Sequence, residues 1–154
     1  MRDLHSNIKT VTHVAPVAIT SANTPSNGVD LKGFDSAEFL ISLGVISNIA
    51  ESPSPSWAFH LEESDSESSG FTAVTNENDV LVGSAKSPLT TPNSSTGVFL
   101  TVDAADEDAA TYRIGYRGNK RYVRVVATPN ETPGSTPYSV VVVLGHPHLA
   151  PTAD

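Results

Sequence analysis

The chain has no cysteine among its 154 residues. That excludes disulfide staples, iron–sulfur ligation, thiolate zinc sites and cysteine nucleophiles, and it leaves the redox compartment open. Charge is sparse as well. Asp, Glu, Lys and Arg make up 17% of the chain, against roughly a quarter in an ordinary soluble domain, so solubility leans on the Ser, Thr and Asn of the loops. The charge present is mostly negative, −8 net with only nine Lys and Arg, and the isoelectric point is near 4.9. Neutralising phosphates needs a basic surface, so no nucleic-acid partner is expected. No run approaches the ~18 apolar residues of a membrane-spanning helix, and no membrane partner is expected either. The opening MRDLHSNIK lacks the apolar stretch of a secretory signal.

Signatures of catalysis and metal binding are equally scarce. Ser, His and Asp occur, but no G-x-S-x-G elbow does. His146 and His148 flank Pro147 with no third ligand near in sequence, and a zinc site needs three or four; a stiff C-terminal exit is the plainer reading. Asp103, Asp106, Glu107 and Asp108 lack the glycine and spacing of an EF-hand loop and read as a solvated acidic turn. The chain is therefore not expected to be an enzyme, and neither a cofactor nor a metal is expected.

What the sequence does have is period-2 alternation. Residues 111–128, TYRIGYRGNKRYVRVVAT, are the stretch around which the rest is organised. Tyr112, Ile114 and Tyr116 alternate with Arg113 and Gly115. After Arg117-Gly118-Asn119-Lys120 the alternation resumes, with Arg121, Val123 and Val125 against Tyr122, Arg124 and Val126. Alternating aromatic and β-branched residues around a Gly-Asn turn predict a hairpin. Residues 56–63 alternate as cleanly, with Trp57, Phe59 and Leu61 on one side and Ala58, His60 and Glu62 on the other, as in a strand with one wet face. Trp57, the single tryptophan, is in phase with that apolar row; core packing outweighs the alternative of a sugar-stacking platform.

Elsewhere residues 8–20 are β-branched but broken by Pro16, an edge strand or two short ones. Residues 37–46 place Phe39, Ile41, Leu43 and Val45 on one face, favouring strand over helix. Residues 71–74, 80–83 and 98–102 are short strands. Residues 138–144, YSVVVVL, form a continuous apolar run, which fits a strand buried on both faces or set at a subunit contact. Loops rich in Pro, Ser, Asn and Gly cover 21–28, 48–55, 84–97 and 129–137. About eight or nine short strands so spaced predict one all-β domain over residues 1–154, an antiparallel, jelly-roll-like β-sandwich. Residues 1–8 read as an N-terminal arm and 145–154 as a C-terminal tail.

Five of the nine basic residues, Arg113, Arg117, Lys120, Arg121 and Arg124, fall in the organising stretch of an acidic chain. Planar guanidinium forks suit contacts with an acidic partner or a second protomer. The competing reading is pairing within the molecule, with Glu62, Glu63, Asp65 or residues 103–108, where exposed pairs contribute little.

Two resemblances bear on this. Residues 57–74 and the KRYVRV of 120–125 resemble pieces of discoidin-type jelly-roll domains, which implies architecture alone. Over almost the whole length, MRDLHSNI at 1–8, GFDSAEF at 33–39, LEESD at 61–65, RIGYRGNKRYVR at 113–124 and LGHPHLAP at 144–151 look like a family of small proteins encoded among the head genes of tailed bacteriophages. That resemblance implies a virion component, a decoration or cement protein that stabilises the head. Its expected partners are the major capsid protein and itself, as a homotrimer, and its expected place is the capsid surface, with the host cytoplasm during assembly. The alternative is a glycan-binding sandwich displayed on the virion.

Overall fold

The computed structural model describes residues 3–49, 55–82 and 88–152; residues 50–54 of the loop expected over 48–55 and 84–87 of that over 84–97 lie outside them, as does Gly83. Alternation decides the strands. Among the described residues they are β1 (Ile8–Ile19), β2 (Val29–Asp30), β3 (Phe34–Leu43), β4 (Ser56–Ser64), β5 (Thr72–Ala73), β6 (Val80–Leu81), β7 (Val98–Val102), β8 (Thr111–Tyr116), β9 (Tyr122–Asn130) and β10 (Thr136–Pro147). Residues 34–43 are strand, not helix, as the period of Phe39, Ile41 and Leu43 requires. β2 is a strand that sequence reasoning did not anticipate: two residues carry no period.

Ladder pairing links the first strand to the last and works inwards. β1 pairs β10, β2 pairs β9, β3 pairs β8 and β4 pairs β7, all antiparallel. β10 also pairs β3, and β9 also pairs β4. Two sheets result, β1-β10-β3-β8 with β6 added at the β8 edge, and β2-β9-β4 with β5 and β7 both along the far side of β4. A nested set of long antiparallel pairs wrapped into two facing sheets is a jelly roll. The fold is an all-β sandwich of that kind.

Residues 112–116 and 122–126 do not form a hairpin with each other: β8 lies in the first sheet against β3, β9 in the second against β4. A two-residue hairpin turn of the Asn-Gly kind needs left-handed backbone at its centre. Among the described residues the left-handed ones are Gly33, Gly70, Gly97, Gly134, Ala109, Glu131 and His146, and neither Gly118 nor Asn119 is one of them. The connection instead crosses from sheet to sheet, and the two apolar rows face each other across the core.

That core joins Phe39, Ile41, Ile114 and Val140 of the first sheet to Trp57, Phe59, Val123 and Val125 of the second, all fully buried. Trp57 is core, not platform; its indole N–H donates to Thr136 Oγ1 at 2.8 Å. The two outer faces differ. Over the second sheet lie loops: Arg124 donates to the Pro25 carbonyl, its guanidinium stacks 4.0 Å from the centre of the Phe71 ring, and Gly28 N–H donates to Glu67 O. Over the first sheet the described residues put nothing comparable. The run at 138–144 is accordingly buried on one face only: Tyr138, Val140, Val142 and Leu144 point inward, while Ser139, Val141 and Val143 remain half-exposed.

Candidate interaction surface

The five basic residues go to different places. Arg113, in β8, points off the first sheet and meets Glu38 only at 3.7 Å, with its side chain 75% exposed. Arg124, in β9, is largely buried on the outer face of the second sheet, where it pairs with Glu62 at 2.6 Å. Arg117, Lys120 and Arg121 stand in the β8–β9 connection at one end of the sandwich. Arg121 grips Asp30 through two bonds, 2.9 and 2.7 Å, which holds the Asp30 carboxyl below the usual carboxylate range. Lys120 bonds Asp65, which raises its own titration point. Four of the five are thus paired within the molecule. Glu62 and Asp65 are among the expected partners; Asp30 and Glu38 were not anticipated, since only the fold brings them near. The acidic turn at 103–108 serves other ends. Asp108 caps the Ile46 N–H, and Glu107 accepts from the Asp103 N–H and the Tyr112 hydroxyl.

Arg117 is the exception. Among the described residues its side chain makes no hydrogen bond or ion pair. Its backbone is nonetheless fixed. Arg117 N–H donates to Asp79 O at 2.9 Å. The neighbouring Tyr116 hydroxyl donates to Glu63 Oε2 at 2.6 Å and accepts from Lys120 N–H at 3.0 Å. Burial, with that carboxylate bond, pushes the Tyr116 phenol well up. Gly118 lies so close over the Tyr116 ring that a Cβ there would collide with it, so the loop has one way to sit.

Arg117 stands on a ridge between two concavities. On the outer face of the first sheet is a groove of about 450 Å³, walled by Leu4, Ile8, Leu81 and Val143, with Glu38 in its wall. Leu4 and Leu81 are 68% and 52% exposed. The groove continues the row of Leu40, Val141 and Val143, where Val141 lies opposite Leu40. Partial burial raises the Glu38 carboxyl despite Arg113. At the end of the sandwich, between the β2–β3 and β8–β9 connections, is a polar cavity of about 520 Å³.

The histidine pair straps the tail to β3. His146 Nδ1 meets Ser36 Oγ at 2.9 Å and His148 Nε2 meets Asp35 Oδ1 at 2.7 Å, while Thr152 bonds Ser6 and Ile8. The tail is thereby tied back across the strand ends. Among the described residues no three His, Asp or Glu groups are placed to hold a metal ion. Of the ten aromatic rings none is exposed; Phe34, Phe71 and Tyr122 are half-buried, and the last two lie under the guanidinium groups of Arg124 and Arg121.

No family model matches the chain, and no curated protein does. Several solved structures are similar to it, these two among them. One is the CBM22-1–GH10 modules of endo-1,4-β-D-xylanase 10B from Clostridium thermocellum, complexed with xylohexaose, at 11% identity and a TM-score of 0.43 over 98% of this chain and 29% of that one. The other is the VP2 subviral particle of infectious bursal disease virus, at 10% identity and a TM-score of 0.32 over 92% and 32%. The chain spans less than a third of either protein.

Proposed function

We propose that this chain is a structural component of a tailed-bacteriophage particle, a head decoration protein that lays the outer face of its first sheet on the major capsid protein. The observation that carries the reading is the half-exposed apolar row of that face among the described residues, Leu40, Val141 and Val143, running into a groove whose Leu4 and Leu81 stand exposed beside an unpaired Arg117. Contiguous apolar surface rimmed by charge marks a protein interaction site, and its opposite number on the second sheet is closed by loops. Buried rings and internally paired charges favour an inert, rigid body over a catalyst. Copies grouped as trimers would suit three-fold positions of a capsid.

The test is binding to purified heads lacking the protein. Wild-type chain saturates them at a fixed ratio and raises the temperature at which they burst. Leu81→Asp puts a charge into the groove at an exposed position and lowers occupancy at least tenfold without unfolding the chain, and Arg117→Glu acts in the same direction. Heads that take up no protein, or that bind Leu81→Asp as well as wild type, overturn the proposal. Light scattering on the free protein checks the trimer against three times 16.2 kDa.

A further inference from the structure

The cavity at the end of the sandwich adjoins the docking face, sharing Tyr116 and Arg117 with its groove, and its wall is richer in cations than the chain as a whole. Its wall holds four cations, Lys32, Arg117, Lys120 and Arg121, against Asp35 and Asp65, with Asp30 bonded to Arg121 just behind it, in a chain of net charge −8. Lys120 and Arg121 are engaged by Asp65 and Asp30. Lys32 and Arg117 form no ion pair among the described residues. Arg117, unpaired, and Lys32, whose charge is felt by the Asp30 that Arg121 already grips, therefore line one concavity whose loop is pinned by the Tyr116 hydroxyl and the Asp79 carbonyl.

We infer that this cavity binds an anionic sugar unit, its carboxylate or phosphate held between Lys32 and Arg117. Volume, chemistry and rigidity all point there. About 520 Å³ lies within the range of small-molecule sites, roughly 300–1,000 Å³. A guanidinium offers a carboxylate or phosphate two parallel donors, and an ammonium adds a point charge. Asn119 and Ser36, also in the wall, supply donors and acceptors for hydroxyls, and the half-buried Phe34 ring an apolar patch for the sugar's C–H face. A loop already fixed loses little freedom when the ligand arrives. The charge, not ring stacking, is the source of selectivity.

The inference stands apart from head binding, because Lys32 lines the cavity and not the groove, while Leu81 lines the groove and not the cavity. The full-length ¹⁵N-labelled chain is titrated with digalacturonate, with the neutral disaccharide galactobiose and with inorganic phosphate. Saturable shifts at the amides of Lys32, Arg117 and Asn119 are expected with digalacturonate and not with galactobiose, weakening as salt is added. Lys32→Glu lowers the affinity at least tenfold with the rest of the spectrum unchanged, and Leu81→Asp leaves it as it was. Saturation by phosphate but not by digalacturonate overturns the sugar and leaves a bare anion site. No saturable shift with either anion, equal shifts with the neutral disaccharide, or an unaltered affinity in Lys32→Glu overturns the inference.

Discussion

His13 is a residue whose role follows from one hydrogen bond. It lies in β1 at a register shift against β10, between Thr12 and Val14, and its ring turns toward the other sheet. There β2 pairs β9 at Tyr122 and Val123, and Asn23 bridges to Ala127. Between the two, the Val125 N–H donates to His13 Nε2 at 3.2 Å. The accepting nitrogen must be unprotonated, so the ring is held neutral. Burial, helped by the neighbouring Arg124 charge, lowers its pKa from 6.5 to about 4. Arg124 is itself paired with Glu62, which also meets His60. The folded pKa is depressed, so stability is complete above pH 6.5. Between 6.5 and about 4 the unfolded chain takes a proton that the folded chain refuses, and stability is lost as pH falls through that window. The shift corresponds to roughly 3 kcal/mol. Chemical denaturation at several pH values is expected to show this slope, and His13→Gln, which keeps an acceptor that cannot charge, to flatten it. A His13 resonance that titrates near 6.5 in the folded protein would sink the account.

At the scale of elements, the organising stretch contains two arginines with opposite roles. Arg124 ties β9 to β4 through Glu62, to the 20s loop through the Pro25 carbonyl and to Phe71 through its ring face. Its side chain is 14% exposed and that of Glu62 19%. Arg124→Ala strands a mostly buried carboxylate and uncovers a ring, with an expected cost of about 3 kcal/mol. Arg113→Ala removes a 3.7 Å contact from a side chain 75% exposed and is expected to change stability by less than about 0.5 kcal/mol. Equal denaturation midpoints for the two variants would remove the distinction. The sequence shows the two as equals, one residue type on one alternating stretch. Alternation tells which side chains face inward: Tyr112, Ile114 and Tyr116 do, as do Val123 and Val125, and the strands at 56–64 and 98–102 were legible for the same reason. It does not tell which strand lies alongside which. That is why β8 and β9 read as a hairpin, and why Asp30, 91 residues from Arg121, was not legible as its partner. His13 carried no sequence signal, because its role depends on a gap between β2 and Asn23 that exists only once the sheets have closed.

The whole molecule is asymmetric in a way that neither sheet is alone. Both sheets contribute one apolar face to the core, but loops 20–28 and 65–71 fold over the outside of the second, while on the first Leu40, Val141 and Val143 stay half-exposed among the described residues. A body of net charge −8 resists gathering on any surface that is itself negative, so contact through this face has to come from apolar burial rather than long-range attraction. That distinction is measurable. At about 1 M salt the screening length is near 3 Å; docking by the apolar face is expected to persist there, while anion binding in the end cavity is lost. Val141→Lys with Val143→Lys places two charges on the outer side of a central strand whose inner neighbours, Val140, Val142 and Leu144, stay buried. The double variant is expected to remain folded and to lose at least tenfold in affinity for heads, about 1.4 kcal/mol, whereas Ser66→Lys, in a loop of the second sheet, leaves affinity unchanged. If the Ser66 variant weakens binding and the Val141/Val143 variant does not, the molecule sits on its partner the other way up, and the bare sheet is not its contact.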